Sequence, residues 1–171
     1  MTAVTWSQSI AVDLLPYCIT AIAAHLMMSL GQTLFHRHLG HRRIGGRFFS
    51  NHINFHHTYY SDDHLASNQS SSRDGNNTPF FLIPSFFVVG LSYWVLPLNL
   101  LIVQVIAMAM SFYAHVYLDQ QYHSAGSWLE RFSWFIRKRQ LHFAHHTDGN
   151  YNYAVMHNFW DRILGTYKGV N

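Results

Sequence analysis

Long uncharged runs alternate with polar blocks along this chain. The first run extends from Leu14 to Phe35 and the second from Pro79 to Leu118. At 1.5 Å per helical residue the first reaches about 33 Å, enough for a bilayer core. The second is about twice too long for one span and carries Pro97 near its middle, with Asn99 close by. Proline breaks a helix, so the run predicts a hairpin of two spans. The spans are placed at roughly 14–35, 80–96 and 98–118, the middle one short, at about 25 Å. Three core helices of a soluble protein are the alternative. An uncharged run this long around a proline hinge argues against it. The N-terminus lacks the basic start and small-residue cleavage site of a secretory signal.

Composition sharpens the picture. Charged residues make up 11% of the 171 and hydrophobic residues 49%, while mean hydropathy is only −0.02. Disorder requires the opposite balance. A disulfide scaffold is excluded by the single cysteine, Cys18. All eleven basic residues fall in two blocks. Arg37, Arg42, Arg43, Arg47 and Arg73 form one; Arg131, Arg137, Lys138, Arg139, Arg162 and Lys168 form the other. Basic residues flank membrane spans on the cytoplasmic side. Both blocks are therefore expected to face the cytoplasm, in a bacterial inner membrane or an endoplasmic reticulum. The basic balance suits anionic lipid headgroups, with no nucleic-acid partner expected. The stretch Ser67–Asn77 reads as a polar loop. The expected architecture is all-α: one membrane domain over residues 1–171, a bundle of about three spans under a His-rich helical cap formed by 36–74 and 119–171.

Fourteen histidines explain what the polar blocks are for. Only His25 lies well inside an apolar run. His36 and His41 belong to HRHLGH. Five positions do not share a face on a straight helix, so these two converge only if the helix loosens near Gly40. His52, His56 and His57 form HINFHH, with the first two aligned and His57 turned aside. His142, His145 and His146 form HFAHH, with one common helical face. His115 and His123 flank Asp119. Imidazole suits iron, zinc, copper and nickel. This many imidazoles fit two metals with four or five ligands each. No Cys pairs point to a zinc ribbon or iron–sulfur site. Glu130 is the sole glutamate, which argues against a soluble carboxylate di-iron site. The Met pairs Met27–Met28 and Met108/Met110 read as core or lipid-facing fillers.

HRHLGH, HINFHH and HFAHH, in that order around an apolar hairpin, resemble the histidine boxes of the fatty acid hydroxylase/sterol desaturase superfamily. The tail GNYNYAVMHNFWDRILGT is similar to that family's signature after the last box, through Asn152, Tyr153, Trp160, Asp161, Arg162, Gly165 and Thr166. The likeness covers about residues 30–168. In HINFHH three residues, rather than the commoner two, precede the His pair.

The resemblance implies a membrane enzyme with a di-iron centre, zinc being a possible substitute. It implies use of O2 and two electrons to hydroxylate or desaturate a lipid C–H bond, whether fatty acyl, sterol, sphingolipid or isoprenoid. It also implies a separate electron donor, cytochrome b5 or a ferredoxin with its reductase. The implied metal ligands are His36, His41, His52, His56, His57, His115, His123, His142, His145 and His146, with no catalytic residue apart from them. Asp119 stands where hydroxylases often carry a second His, and either it or His123 completes the set. His38, His64 and His157 are expected outside it, and His25 as a polar group facing the bundle interior. Trp160, Asp161 and Arg162 are expected to pin the C-terminal segment. Tyr59, Tyr60, Tyr151 and Tyr153 read equally as an interfacial belt or a substrate wall. Larger relatives carry four spans, so a homo-oligomer is a possible assembly. A His-rich membrane metal carrier and a non-catalytic relative are the rival classes.

Overall fold

The computed structural model describes residues 4–61, 63–68 and 77–170. Asp62, Arg73, Asp74 and most of the Ser67–Asn77 loop lie outside the described residues. Among the described residues six α-helices make the architecture: α1 (Val4–Phe35), α2 (Arg47–Asn51), α3 (Thr78–Tyr93), α4 (Leu98–Tyr122), α5 (Ser133–Thr147) and α6 (Phe159–Ile163). Short π and 3-10 turns join them.

Helices α1, α3 and α4 form the bundle. Ala24 and Met28 of α1 meet Met108 and Phe112 of α4, with Phe81, Val88 and Val89 of α3 against them. Asn99 donates to the Tyr17 hydroxyl at 2.6 Å and ties α4 to α1 near the far end. The opposite faces are bare. Ile19, Ile22, Ile83, Phe86, Phe87, Ile102, Ile106 and Met110 are exposed hydrophobics. In the most apolar stretches of α1 and α4 only 17% and 28% of residues are buried. A soluble protein's core helices would bury most of theirs; an uncovered apolar girdle calls for lipid. Tyr93 and Trp94, exposed at the α3–α4 turn, suit a headgroup interface.

Two span boundaries differ from expectation. The middle arm ends at Tyr93 rather than 96, because Trp94, Val95 and Leu96 donate to Leu91 and Ser92 in closing turns. The Pro97 carbonyl then accepts from Leu100 and Leu101 and starts α4. This leaves Phe80–Tyr93 as the apolar part of α3, roughly 21 Å long and short of a full crossing. Conversely, α4 continues to Tyr122, past the expected end at 118.

The cap sits on one end of this bundle. Its core is Tyr122, Leu129, Phe135 and Val155, with Leu118 against it. An isolated bridge pairs Ser67 with Ser124 and holds the loop after the second box against the end of α4. Trp160 donates to the Ser29 hydroxyl at 2.9 Å, clamping α6 onto α1.

Candidate metal centre

The first box is built by breaking the α-helical ladder. After Phe35 the chain runs through a π turn, His36–Gly40, and the His41 amide donates to the His36 carbonyl at 3.2 Å. A π turn takes an extra residue, so the fifth position returns under the first. The loosening expected at Gly40 is this turn. Gly40 serves through its size: a Cβ there would stand 3.2 Å from ring carbons of both His36 and His52 and 3.3 Å from Phe48.

The second box repeats the device. His52–His57 is also π-helical, and the Thr58 amide donates to the Ile53 carbonyl. This overturns the straight-helix reading of HINFHH. His52 and His57 point to the same place, while His56 points elsewhere. The third box lies on regular helix α5, yet its three rings do not share one target as expected. His142 and His146, four apart, go one way; His145 goes the other.

The outcome is two groups. His36, His41, His52, His57 and His145 form the first; His56, His123, His142 and His146 form the second. In each, the facing atoms lie within 4.8 Å of one another. In the first, Nε2 atoms are 2.8 Å apart for His36–His52, 3.1 Å for His41–His52, His52–His57 and His36–His145, and 3.3 Å for His36–His41. In the second, His123 and His142 Nε2 are 2.9 Å apart. Ligands about 2.1 Å from one ion are themselves about 3.0–3.4 Å apart for right-angle to tetrahedral geometry. The closest nitrogen pairs, 2.8–3.3 Å apart, lie near that range.

On four of the rings the opposite nitrogen is held by a backbone carbonyl. His36 Nδ1 bonds Tyr153 O at 2.7 Å and His145 Nδ1 bonds Tyr151 O at 2.6 Å. His123 Nδ1 bonds Leu65 O at 2.7 Å and His146 Nδ1 bonds Tyr60 O at 3.0 Å. Donation from Nδ1 fixes the tautomer and leaves the Nε2 lone pair facing inward. His146 Nε2 is buried with no hydrogen-bond partner, as a metal-directed nitrogen would be. Burial, with the neighbouring imidazoles second, holds these rings neutral. His41 is lowered to about 4, His123 and His145 to about 3. His52, His142 and His146 fall well below the ordinary range for the same reasons. Neutral imidazole is the ligating form. The donor set therefore fits two borderline metal ions.

Nine of the ten sequence-selected histidines are brought together. His115 is in neither group. It lines a cavity of about 90 Å³ beside them, with His36, His52, His56, Phe81, Phe112 and Asp119. Asp119 Oδ1 is 3.5 Å from His142 Nε2, so the carboxylate stands at the edge of the second group alongside His123. His25 and His157 pair with each other at 2.7 Å. His38 is half-buried and His64 exposed, both outside the groups.

The tyrosines have a role the sequence did not suggest. Tyr60 is buried and stacks on His123 with centroids 3.8 Å apart, and its carbonyl holds His146. Tyr153 packs its ring against His36, His41 and His145. The tail signature holds the backbone around Tyr153 in place. Asp161, fully buried, accepts from the amides of Tyr153 (2.8 Å) and Ala154 (3.0 Å) and from the Thr166 hydroxyl (2.8 Å). Asn152 sits at φ 55°, a left-handed conformation asparagine tolerates, and its side chain bonds the backbone of Leu141 and Lys168. The asparagine and aspartate of the signature thus act on histidines through backbone.

A helical bundle with an apolar girdle, capped by two converging sets of neutral imidazoles that could each hold a metal ion, has the architecture of a histidine-box membrane protein. The fatty acid hydroxylase family model matches residues 21–166, and the chain belongs to that family. No curated protein and no solved structure is matched.

Proposed function

We propose that this chain is a membrane-bound di-iron oxygenase that hydroxylates a C–H bond of a lipid. The observation that carries the reading is the convergence of nine imidazoles on two points at ligand-shell spacing. Iron in both groups would supply O2 activation and oxidation of an unactivated C–H bond. The first group offers five nitrogens, the second four, with Asp119 at its edge. The protein's own part is to hold those nitrogens deprotonated and aligned, and to deliver the substrate dry. The cavity bordered by His36, His52, His56 and His115 opens between the groups and the bundle, walled by Phe48, Phe81 and Phe112. A chain rising from the membrane side would meet the imidazole face there. The lipid class (fatty acyl, sterol, sphingolipid or isoprenoid) is a matter of that wall's shape. Electrons come from a separate donor such as cytochrome b5 or a ferredoxin, and the basic cap faces the cytoplasm where such donors reside. Zinc would fill the same donor set as an inactive substitute.

The test combines metal analysis with lipid profiling. About two irons per chain, and lipids of expressing cells gaining one oxygen in an O2-dependent manner, support the hydroxylase. Loss of two hydrogens instead would make it a desaturase of the same family. One tightly held zinc and no lipid change would sink both and leave a structural metal protein.

A further inference from the structure

A second cavity, of about 130 Å³, lies within the bundle between α1, α3 and α4. Its lining is apolar, from Met28, Gly31, Phe81, Val88 and Met108 among others, except for Gln32 and Ser85, and the Ser85 hydroxyl is already spent on the Phe81 carbonyl at 2.8 Å. Gln32 is 1% exposed, and both atoms of its carboxamide lack a hydrogen-bond partner among the described residues. A buried amide with neither donor nor acceptor satisfied is costly in water and costlier in lipid. Ser29 and Thr33, its neighbours on α1, both bond helix carbonyls. Gln32 makes no such bond.

We propose that this cavity binds the lipid substrate and that Gln32 recognises it through a group that both donates and accepts a hydrogen bond. A hydroxyl or a secondary amide has that chemistry; an ester or a hydrocarbon does not. The inference rests on the lipid-oxygenase reading and adds the substrate's polar group and its position. Gln32 lies one turn before His36, about 6 Å along the helix axis. Phe81 lines both this cavity and the one beside the histidines, so its ring stands between them. The lipid's polar group is thus held within a few carbons of the His36 level, and oxidation falls near the polar end of the molecule rather than at its tail. Met27, exposed at the rim, places the cavity's mouth on the lipid-facing side.

The test is binding, read without turnover. Purified metal-loaded protein, in a detergent lacking hydroxyl and amide groups, is titrated with 1-hexadecanol, N-methylhexadecanamide and hexadecane, and bound ligand is followed by thermal shift. The alcohol or the amide should half-saturate at about tenfold lower concentration than hexadecane, the worth of one buried hydrogen bond. Whichever of the two is preferred names the group. Gln32→Leu should erase the preference while keeping hexadecane binding and both metals. Gly31→Phe gives a second handle. A Cβ at Gly31 meets nothing within 4 Å, so the ring can extend into open space, and all three ligands should lose binding. Equal affinity for alcohol, amide and alkane in the parent protein overturns the proposal, as does a preference that survives Gln32→Leu. A protein that shows the preference but oxidises no lipid keeps the site and loses the oxygenase reading.

Discussion

His145 shows how much one residue does in this centre. It is fully buried, hands Nδ1 to the Tyr151 carbonyl and puts Nε2 3.1 Å from that of His36. His145→Ala should remove a donor from the first group, lower the metal content and abolish lipid oxidation. His25→Ala, which breaks only the pair with His157, should leave metal content unchanged. Metal analysis of the two purified variants checks this, and full loading of His145→Ala would refute the ligand assignment. Asp161 acts one step further out. In Asp161→Asn an NH2 replaces one oxygen and confronts a donor, the Tyr153 or Ala154 amide or the Thr166 hydroxyl. Leaving such a buried donor unpaired costs about 1–3 kcal/mol. The change should appear as an earlier urea midpoint together with weaker metal retention, since Tyr153 also holds His36. The histidines were legible in the sequence because their number and grouping have no other chemical use. The carbonyls of Tyr60, Leu65, Tyr151 and Tyr153 were not, because a backbone acceptor has no residue signature.

At the scale of elements, two π turns decide which histidine joins which of the two groups. α-Helical periodicity assigns the wrong faces to HINFHH, whose His52 and His57 converge across a π turn. An i, i+5 pair is out of register on an α-helix and in register on a π turn. The HRHLGH pair was readable only as a demand for some loosening. The turn survives because glycines admit close neighbours around it. Gly45 is the tightest: a Cβ there would stand 1.9 Å from the Leu39 carbonyl oxygen, inside the π turn itself. That neighbour is backbone and cannot rotate away. Gly45→Ala should therefore destabilise by at least the 1–3 kcal/mol typical of overpacking and scatter the His36–His41 pair. Gly40→Ala presses only on ring edges and should keep the fold while weakening metal binding. Thermal midpoints, compared with chelator concentrations for half-removal of metal, separate the two effects. Equal midpoints for Gly45→Ala and the parent would show that the π turn is not held this way. The membrane helices were legible from the absence of charge alone. Their ends were not, because α3 stops where Ser92 and Leu91 accept closing bonds rather than where hydrophobicity stops.

At the scale of the whole molecule, the metal-free cap is a crowd of lone pairs. Its histidines are folded in the neutral state, with His41 lowered to about 4 and His123 and His145 to about 3 by burial. In the unfolded chain each would titrate near 6.5. Between those values the unfolded state binds more protons, so falling pH favours unfolding. The stabilising effect is complete above about 6.5 and is lost as pH drops toward the folded values. Each fully buried ring contributes up to about 1.4 kcal/mol per pH unit in that window, and several act together. Chelated protein should therefore lose stability steeply between pH 6.5 and 5, with uptake of more than one proton on unfolding. A metal held in the two groups would oppose this by favouring the folded arrangement, by up to about 2.7 kcal/mol when free metal is a hundredfold above its dissociation constant. Among the bonds that fasten the cap to the bundle, Trp160 to Ser29 and Tyr122 to the Val155 carbonyl join groups that no proton below neutrality changes. The acid transition should accordingly begin in the histidine cluster and spare the lipid-embedded helices. Helical circular dichroism would then fall only in part, while the thermal midpoint of the chelated protein drops. A pH-independent midpoint after chelation would mean that the rings are not buried neutral in the folded state.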